Sequence, residues 1–203
     1  MTSYALVRLP DDRVWLRAAD PAWDDPLDPS HARDRGGRWN PPGSFPAVYL
    51  NGDVATARMQ IERMLAGSPV TVDDHDDEAY VLVAATLPDA QTCADATTAA
   101  GLRSLGLPDS YPRDSDGAEI DHPVCQPIGR QVHDAGLDGV WCRSACTADA
   151  YGRELAWFPS HRRATARPVW SEPLPFGAWR YAEGWEDLGL RDQPGPVPAA
   201  PSR

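Results

Sequence analysis

With 203 residues, 42% of them hydrophobic, the chain can bury one medium-sized core. Its 30 acidic residues against 19 basic ones give a formal net charge of -11, which argues against a general nucleic-acid binder and against docking on an anionic membrane. All 19 basic residues are arginine, which excludes Schiff-base lysine chemistry and a P-loop lysine.

The first apolar run, Val14-Trp15-Leu16, predicts a strand. Asp20 to Gly37 is polar and carries Pro21, Pro26 and Pro29. Each proline removes a donor and clashes with the preceding turn, so a long ordered loop is expected there. Ala47 to Leu50 predicts the next strand, entered from the Pro41-Pro42-Gly43 turn. Asp53 suits an N-cap for a helix from Val54 to Ala66, with Gly67 as its stop. Val54, Ala57, Ile61 and Leu65 mark the apolar face of that helix. Asp73 to Glu78 reads as a solvated acidic loop, and Tyr80 to Ala85 as a buried strand.

Further on, Ala94 to Leu105 predicts a short helix, and Pro108 to Pro123 is rich in turn residues. Cys125 to Ala135 predicts a helix stopped by Gly136. Gly139 to Arg143 and Leu155 to Phe158 predict two more core strands. Beyond Pro159 the pattern weakens, and Gln193 to Arg203 predicts a disordered tail. The whole reads as a single loop-rich α+β domain without internal repeats, over residues 1–160, with an extension over 161–192. No apolar run reaches the ~18 residues of a membrane span, and the N-terminus lacks a signal-peptide core. A soluble, cytosolic protein is expected.

Three segments could carry chemistry. Arg35 to Gly43 (RGGRWNPPG) sets two glycines before Arg38. Glycines there let the backbone approach a ligand, and a guanidinium suits a phosphate because its fork donates two parallel hydrogen bonds. In so acidic a chain an anion must be held by local arginines. The same residues would equally make a turn whose arginine pairs with a surface acid. Next come Tyr49, at a strand end, and Glu62, on the following helix. A carboxylate facing a pocket could stabilise an oxocarbenium-like centre; an exposed helix acid paired with Arg58 is the alternative. Last, Ser144 leaves a predicted strand in Trp141-Cys142-Arg143-Ser144-Ala145. It lacks the G-x-S-x-G setting of a hydrolase nucleophile. The four cysteines form no C-x-x-C, and Cys142 and Cys146 with His122 or His133 are poorly spaced for zinc, so no metal is expected. Neither a dinucleotide-binding G-x-G-x-x-G nor a Walker loop occurs.

The stretch GGRWNPPGSFPAVYLNGDVATAR, Gly36 to Arg58, closely resembles the opening of a RES domain. HPVCQPIGRQVHDAGLDGVWCRSA, His122 to Ala145, is similar to the second half of that domain, and ELAWFP, Glu154 to Pro159, to its closing strand. The resemblance implies a compact fold like that of the ADP-ribosyltransferases, with a mixed sheet, flanking helices and long loops. It implies a bacterial toxin that consumes NAD, releasing nicotinamide by phosphorolysis or hydrolysis, with inorganic phosphate as a co-substrate in the first case. Protein ADP-ribosylation and a non-catalytic interaction module are the alternatives. The implied partner is a Xre-type helix-turn-helix antitoxin; a homo-oligomer is compatible with the resemblance.

Carried over by position, Arg38 matches the family arginine, Tyr49 its strand tyrosine and Ser144 its serine. Glu62 is the candidate for the family glutamate, although the usual pattern sets that acid slightly nearer the tyrosine. Arg17 resembles a second arginine near the family N-terminus. The resemblance then assigns the pyrophosphate to Arg38 and Arg17, the nicotinamide or its ribose to Tyr49, ribose hydroxyls and the cationic anomeric centre to Glu62, and the nicotinamide end to Ser144.

Overall fold

The computed structural model describes residues 4–147, 151–159 and 165–199. One mixed sheet forms its centre. The main strands are β1 (Leu6–Arg8), β2 (Val14–Ala19), β3 (Val48–Asn51), β4 (Val81–Thr86), β5 (Thr92–Ala96), β6 (Gly139–Arg143) and β7 (Arg153–Trp157). Three two-residue strands follow: β8 (Arg167–Pro168), β9 (Leu174–Pro175) and β10 (Val197–Pro198). Their order is β10-β1-β5-β6-β7-β3-β2-β4-β8, with β9 also paired to β4. All pairs are antiparallel except β5 with β6. A parallel pair needs a long crossover, here supplied by α3 (Ala99–Ser104) and α4 (His122–Asp134).

The remaining helices are α1 (Ser30–Arg35), α2 (Val54–Met64) and α5 (Phe176–Trp179). The start of α2 follows from its cap: Asp53 Oδ1 accepts the Thr56 N–H at 2.7 Å. Val54, Ala57 and Ile61 of α2 pack with Leu16, Leu82, Ala84, Phe176 and Trp179 in one cluster. Cys125 and Val132 of α4, with Leu102 of α3, pack on Trp39, Phe45 and Phe158 in a second. Trp15, Val48, Leu50, Trp141, Leu155 and Trp157 form a third. Among the described residues, no helix is long and apolar enough to cross a membrane.

Four expectations change. The loop expected from Asp20 to Gly37 contains α1, because Pro29 stands just before the helix, where no intrahelical N–H is required. The helix expected over Ala94 to Leu105 is divided: its first residues finish β5, and α3 starts only after Thr98, whose hydroxyl accepts the Gly101 N–H at 3.1 Å. The helix expected from Cys125 starts earlier, at His122, with Pro123 in its first turn. The tail expected to be disordered is anchored over 193–199. Gln193 Oε1 accepts the Val14 N–H at 2.7 Å, and β10 pairs with β1. These anchors, the Gln193 side chain and the backbone of Val197 to Ala199, lie in a proline-rich stretch with no hydrophobic period. Residues 200–203 lie outside the described residues.

Candidate active site

Two central strands part to make room for the site. β2 pairs with β4 over all six residues, and β3 pairs with β7 over all four. Between β2 and β3 the only register pair is Leu16 with Asn51. Beyond it a cavity of about 400 Å³ opens, with Arg17 and Ala18 of β2 on one side and Tyr49 of β3 on the other. Gln60, Arg63 and Met64 of α2 line it too, together with Trp23 and Cys146.

Arg17 is only 8% exposed, and its guanidinium lies over the Trp23 ring, 5.4 Å from the centroid. Its buried Nη1 has no hydrogen-bond partner among the described residues. Burial pulls its pKa down to about 10, against the opposing pull of Asp25 and Asp28, so it stays charged at neutral pH. A buried cation with an unused donor favours an anion beside it.

The Tyr49 hydroxyl accepts the Trp39 N–H and donates to Asn40 Oδ1, both at 2.8 Å. Burial holds it well above the ordinary phenol range. The hydroxyl is therefore spent on the turn after Arg38, and Tyr49 offers the cavity its ring. Gly37 explains part of the double glycine: a Cβ there would fall 2.4 Å from the Tyr49 hydroxyl. The close approach made by Gly37 is to Tyr49, whereas the sequence suggested a ligand.

Arg38 is buried and lies beside the cavity without lining it. Its Nη1 donates to the Ile120 carbonyl at 2.6 Å and its Nη2 to Glu119. Arg63 donates to the other Glu119 oxygen and to the Ala145 carbonyl, the latter at 3.1 Å. Glu119 thus ties Arg38 to a residue of the cavity wall. Ser144 is fully buried; its hydroxyl donates to Glu154 and accepts the Cys146 N–H at 3.0 Å. Burial raises the pKa of the Glu154 carboxyl, against the pull of the Ser144 hydrogen bond. Burial also pushes the Cys146 thiol up to about 11, so at neutral pH it is not a thiolate nucleophile.

Glu62 is not part of this arrangement. The cavity face of α2 carries Gln60, Arg63 and Met64, spaced by three and four residues. Glu62 lies about 200° around the helix from Gln60 and is exposed. Gln60 Oε1 accepts from Asn51 Nδ2 at 3.0 Å. Arg17 and Tyr49 therefore share the cavity, Arg38 and Ser144 connect to it through one or two hydrogen bonds, and Glu62 stands apart. The sequence reading did not single out Gln60, Arg63, Glu119 or Glu154. The helical period alone could have found Gln60, which stands about 60° from Ala57 at the edge of the core stripe, whereas Arg63 lies nearly across the helix from Ile61.

An α+β domain with an arginine-lined cavity between two parted strands is the class of protein this arrangement defines. The RES domain model matches residues 5–178, so the chain belongs to the RES domain family, and the match runs past the boundary expected near residue 160. The chain is 31% identical over 118 residues to proteins named NAD(+) phosphorylase MbcT from Mycobacterium bovis and Mycobacterium tuberculosis. That match covers 57% of this chain and spans 59% of those relatives' length. Among solved structures, the crystal structure of the M. tuberculosis MbcT-MbcA toxin-antitoxin complex matches with a TM-score of 0.63 and 24% identity, covering 86% of this chain and 90% of the matched one. At that identity the likeness is one of fold.

Proposed function

We propose that this chain consumes NAD, breaking the nicotinamide–ribose bond with phosphate or water as acceptor. The observation that carries the reading is the buried, partly unpartnered Arg17 guanidinium in a cavity shared with Tyr49 and Arg63. Support comes from family membership and from relatives named NAD(+) phosphorylase. The parted strands also favour the ADP-ribosyltransferase-like reading of the fold.

In the reaction the C–N bond breaks and its electron pair leaves on nicotinamide, which departs neutral because it is cationic in NAD. An oxygen of phosphate or water bonds to the anomeric carbon. Phosphate yields the phosphate ester of ADP-ribose; water yields ADP-ribose and a proton. Arg17 neutralises the pyrophosphate, and Arg38, tied to the cavity wall through Glu119 and Arg63, adds its charge. The Tyr49 ring packs on nicotinamide or its ribose, and Ser144 orients the nicotinamide end. Gln60 takes the ribose-facing place that the sequence reading gave to Glu62. The proposed partner is a Xre-type antitoxin, and the proposed compartment is the cytoplasm. An antitoxin is present in the similar solved complex, and a basic partner suits a charge of -11.

One observation favours a second reading, a non-catalytic binding module: among the described residues, no carboxylate lines the cavity. Incubating the purified protein with NAD, with and without phosphate, separates the two. Nicotinamide release that is lost in Arg17→Ala supports the enzyme, and the ADP-ribose product identifies the acceptor. NAD binding without nicotinamide release from folded protein supports the module.

A further inference from the structure

We infer that Arg38 and Arg63 form a second anion site, built for a phosphate-class dianion, which Glu119 occupies as an internal competitor. Glu119 spends one carboxylate oxygen on each guanidinium. Two oxygens of a phosphoryl group can bridge two guanidinia in the same way. The charge count favours the exchange, because a carboxylate neutralises one of the two cations and a dianion neutralises both.

The clamp does not depend on Glu119 for its shape. Arg38 keeps its bond to the Ile120 carbonyl, and Arg63 keeps its bond to the Ala145 carbonyl. Both guanidinia therefore stay in place when the carboxylate leaves. The competitor can leave: the Glu119 side chain is 29% exposed and that of Arg63 43%. Glu119 also closes a small hairpin, bridged to Arg113, whose tip at Ser115 to Ala118 is exposed. Nearby, His122 is held below its usual pKa, chiefly by burial and then by Arg38, so it adds little positive charge near neutral pH. Arg63 belongs to both places, since it also lines the cavity with Arg17. An anion held by Arg38 and Arg63 lies next to whatever Arg17 holds.

This inference rests on the NAD reading for its two sources of phosphate: the inorganic acceptor and the pyrophosphate of the dinucleotide. Calorimetric titrations with inorganic phosphate and, separately, with ADP-ribose distinguish them. Glu119→Ala and Glu119→Gln, both checked for native near-ultraviolet circular dichroism, should tighten at least one of these ligands about tenfold, as expected when a competing closed form is removed. Adding Arg63→Gln should erase the gain. A gain for phosphate assigns the site to the acceptor, and a gain for ADP-ribose assigns it to the dinucleotide; either supports the site. No gain for either ligand in both folded variants overturns it, even if wild-type protein consumes NAD. A gain in protein that never releases nicotinamide keeps the anion site and defeats the NAD reading instead.

Discussion

The Ser144 hydroxyl donates a hydrogen bond to Glu154, which sits in β7 beside the end of β6. The serine expected to meet a ligand is thus held first by a buried carboxyl. Its other hydrogen bond, from the Cys146 N–H, fixes the chain as it enters the cavity wall. Ser144 is therefore oriented from two sides before any ligand arrives.

The carboxyl makes this arrangement sensitive to pH. Burial raises the Glu154 pKa, so the folded chain holds that proton more tightly than the unfolded chain, where a glutamate titrates near ~4.3. The folded state then binds more protons, and this group's contribution to stability falls as pH rises from the unfolded value through the raised one. Glu154→Gln removes the titration. Its melting temperature relative to wild type should rise as pH climbs above the unfolded value and level off once the raised folded value is passed. Paired thermal melts across that range measure it; a difference that stays flat defeats the assignment.

Arg17 should show a conflict between stability and function. Its guanidinium is desolvated and one nitrogen lacks an acceptor, which costs stability in the empty protein. Arg17→Met keeps the contact with Trp23 and removes the charge. We expect the variant to be more stable by about 1 kcal/mol, because apolar groups of similar volume often outperform buried charges. NAD turnover should fall on the order of a hundredfold, the usual cost of one electrostatic contact to the transition state. Urea melts and kcat/KM for nicotinamide release test both halves; loss of activity with loss of stability would mark Arg17 as structural.

Two neighbouring positions on α2 should behave in opposite ways. Glu62 is exposed and away from the cavity, so Glu62→Ala should leave activity intact and change stability by no more than about 0.5 kcal/mol. Gln60 lines the cavity and is held by Asn51. Gln60→Ala should lower kcat/KM roughly tenfold, the loss of about one hydrogen bond to a reacting ligand. Side-by-side kinetics decide between the acid that sequence pattern favours and the amide that faces the cavity.

Legibility followed the range of the interactions. The α2 cap, its apolar face and strands β2, β3, β4, β6 and β7 are local or periodic, and they read directly from the chain. The neighbourhood of Arg38 and Tyr49 was legible because Gly37 and Tyr49 are close in sequence as well as in space. The bridge from Arg63 to Glu119 spans 56 residues and leaves no periodic trace. Glu154 was hidden because it opens an apolar run and looks like the polar edge of a strand, although its side chain points inward. Glu62 shows how identity and phase can diverge: the acid stands two positions after Gln60, about 200° around the helix from it. After Pro159 the core is supplied by Phe176 and Trp179, three residues apart in the single turn of α5, and by Leu188 beyond it; one turn is too short to show a period in the sequence.

The turn that carries Arg38 is seated against α4, and this contact gives the last prediction. Gln126 Nε2 donates to the Gly37 carbonyl at 3.0 Å, and Gly129, one turn on, faces the Trp39 carbonyl, two peptides further along the same turn. A Cβ on Gly129 would lie 1.8 Å from the Trp39 carbonyl oxygen. Both partners are backbone, so neither can rotate away. In an isolated helix, alanine at this interior position would stabilise by about 1 kcal/mol over glycine. Here the contact reverses the sign: Gly129→Ala must push α4 off the turn, at a cost of about 3 kcal/mol. Trp39 and Arg38 would move with it, so NAD turnover should fall even where the variant remains folded. A lowered urea midpoint with an unchanged slope, together with reduced turnover below the transition, is the expected pair of results. An unchanged midpoint would show that the helix and the arginine turn are not in direct contact.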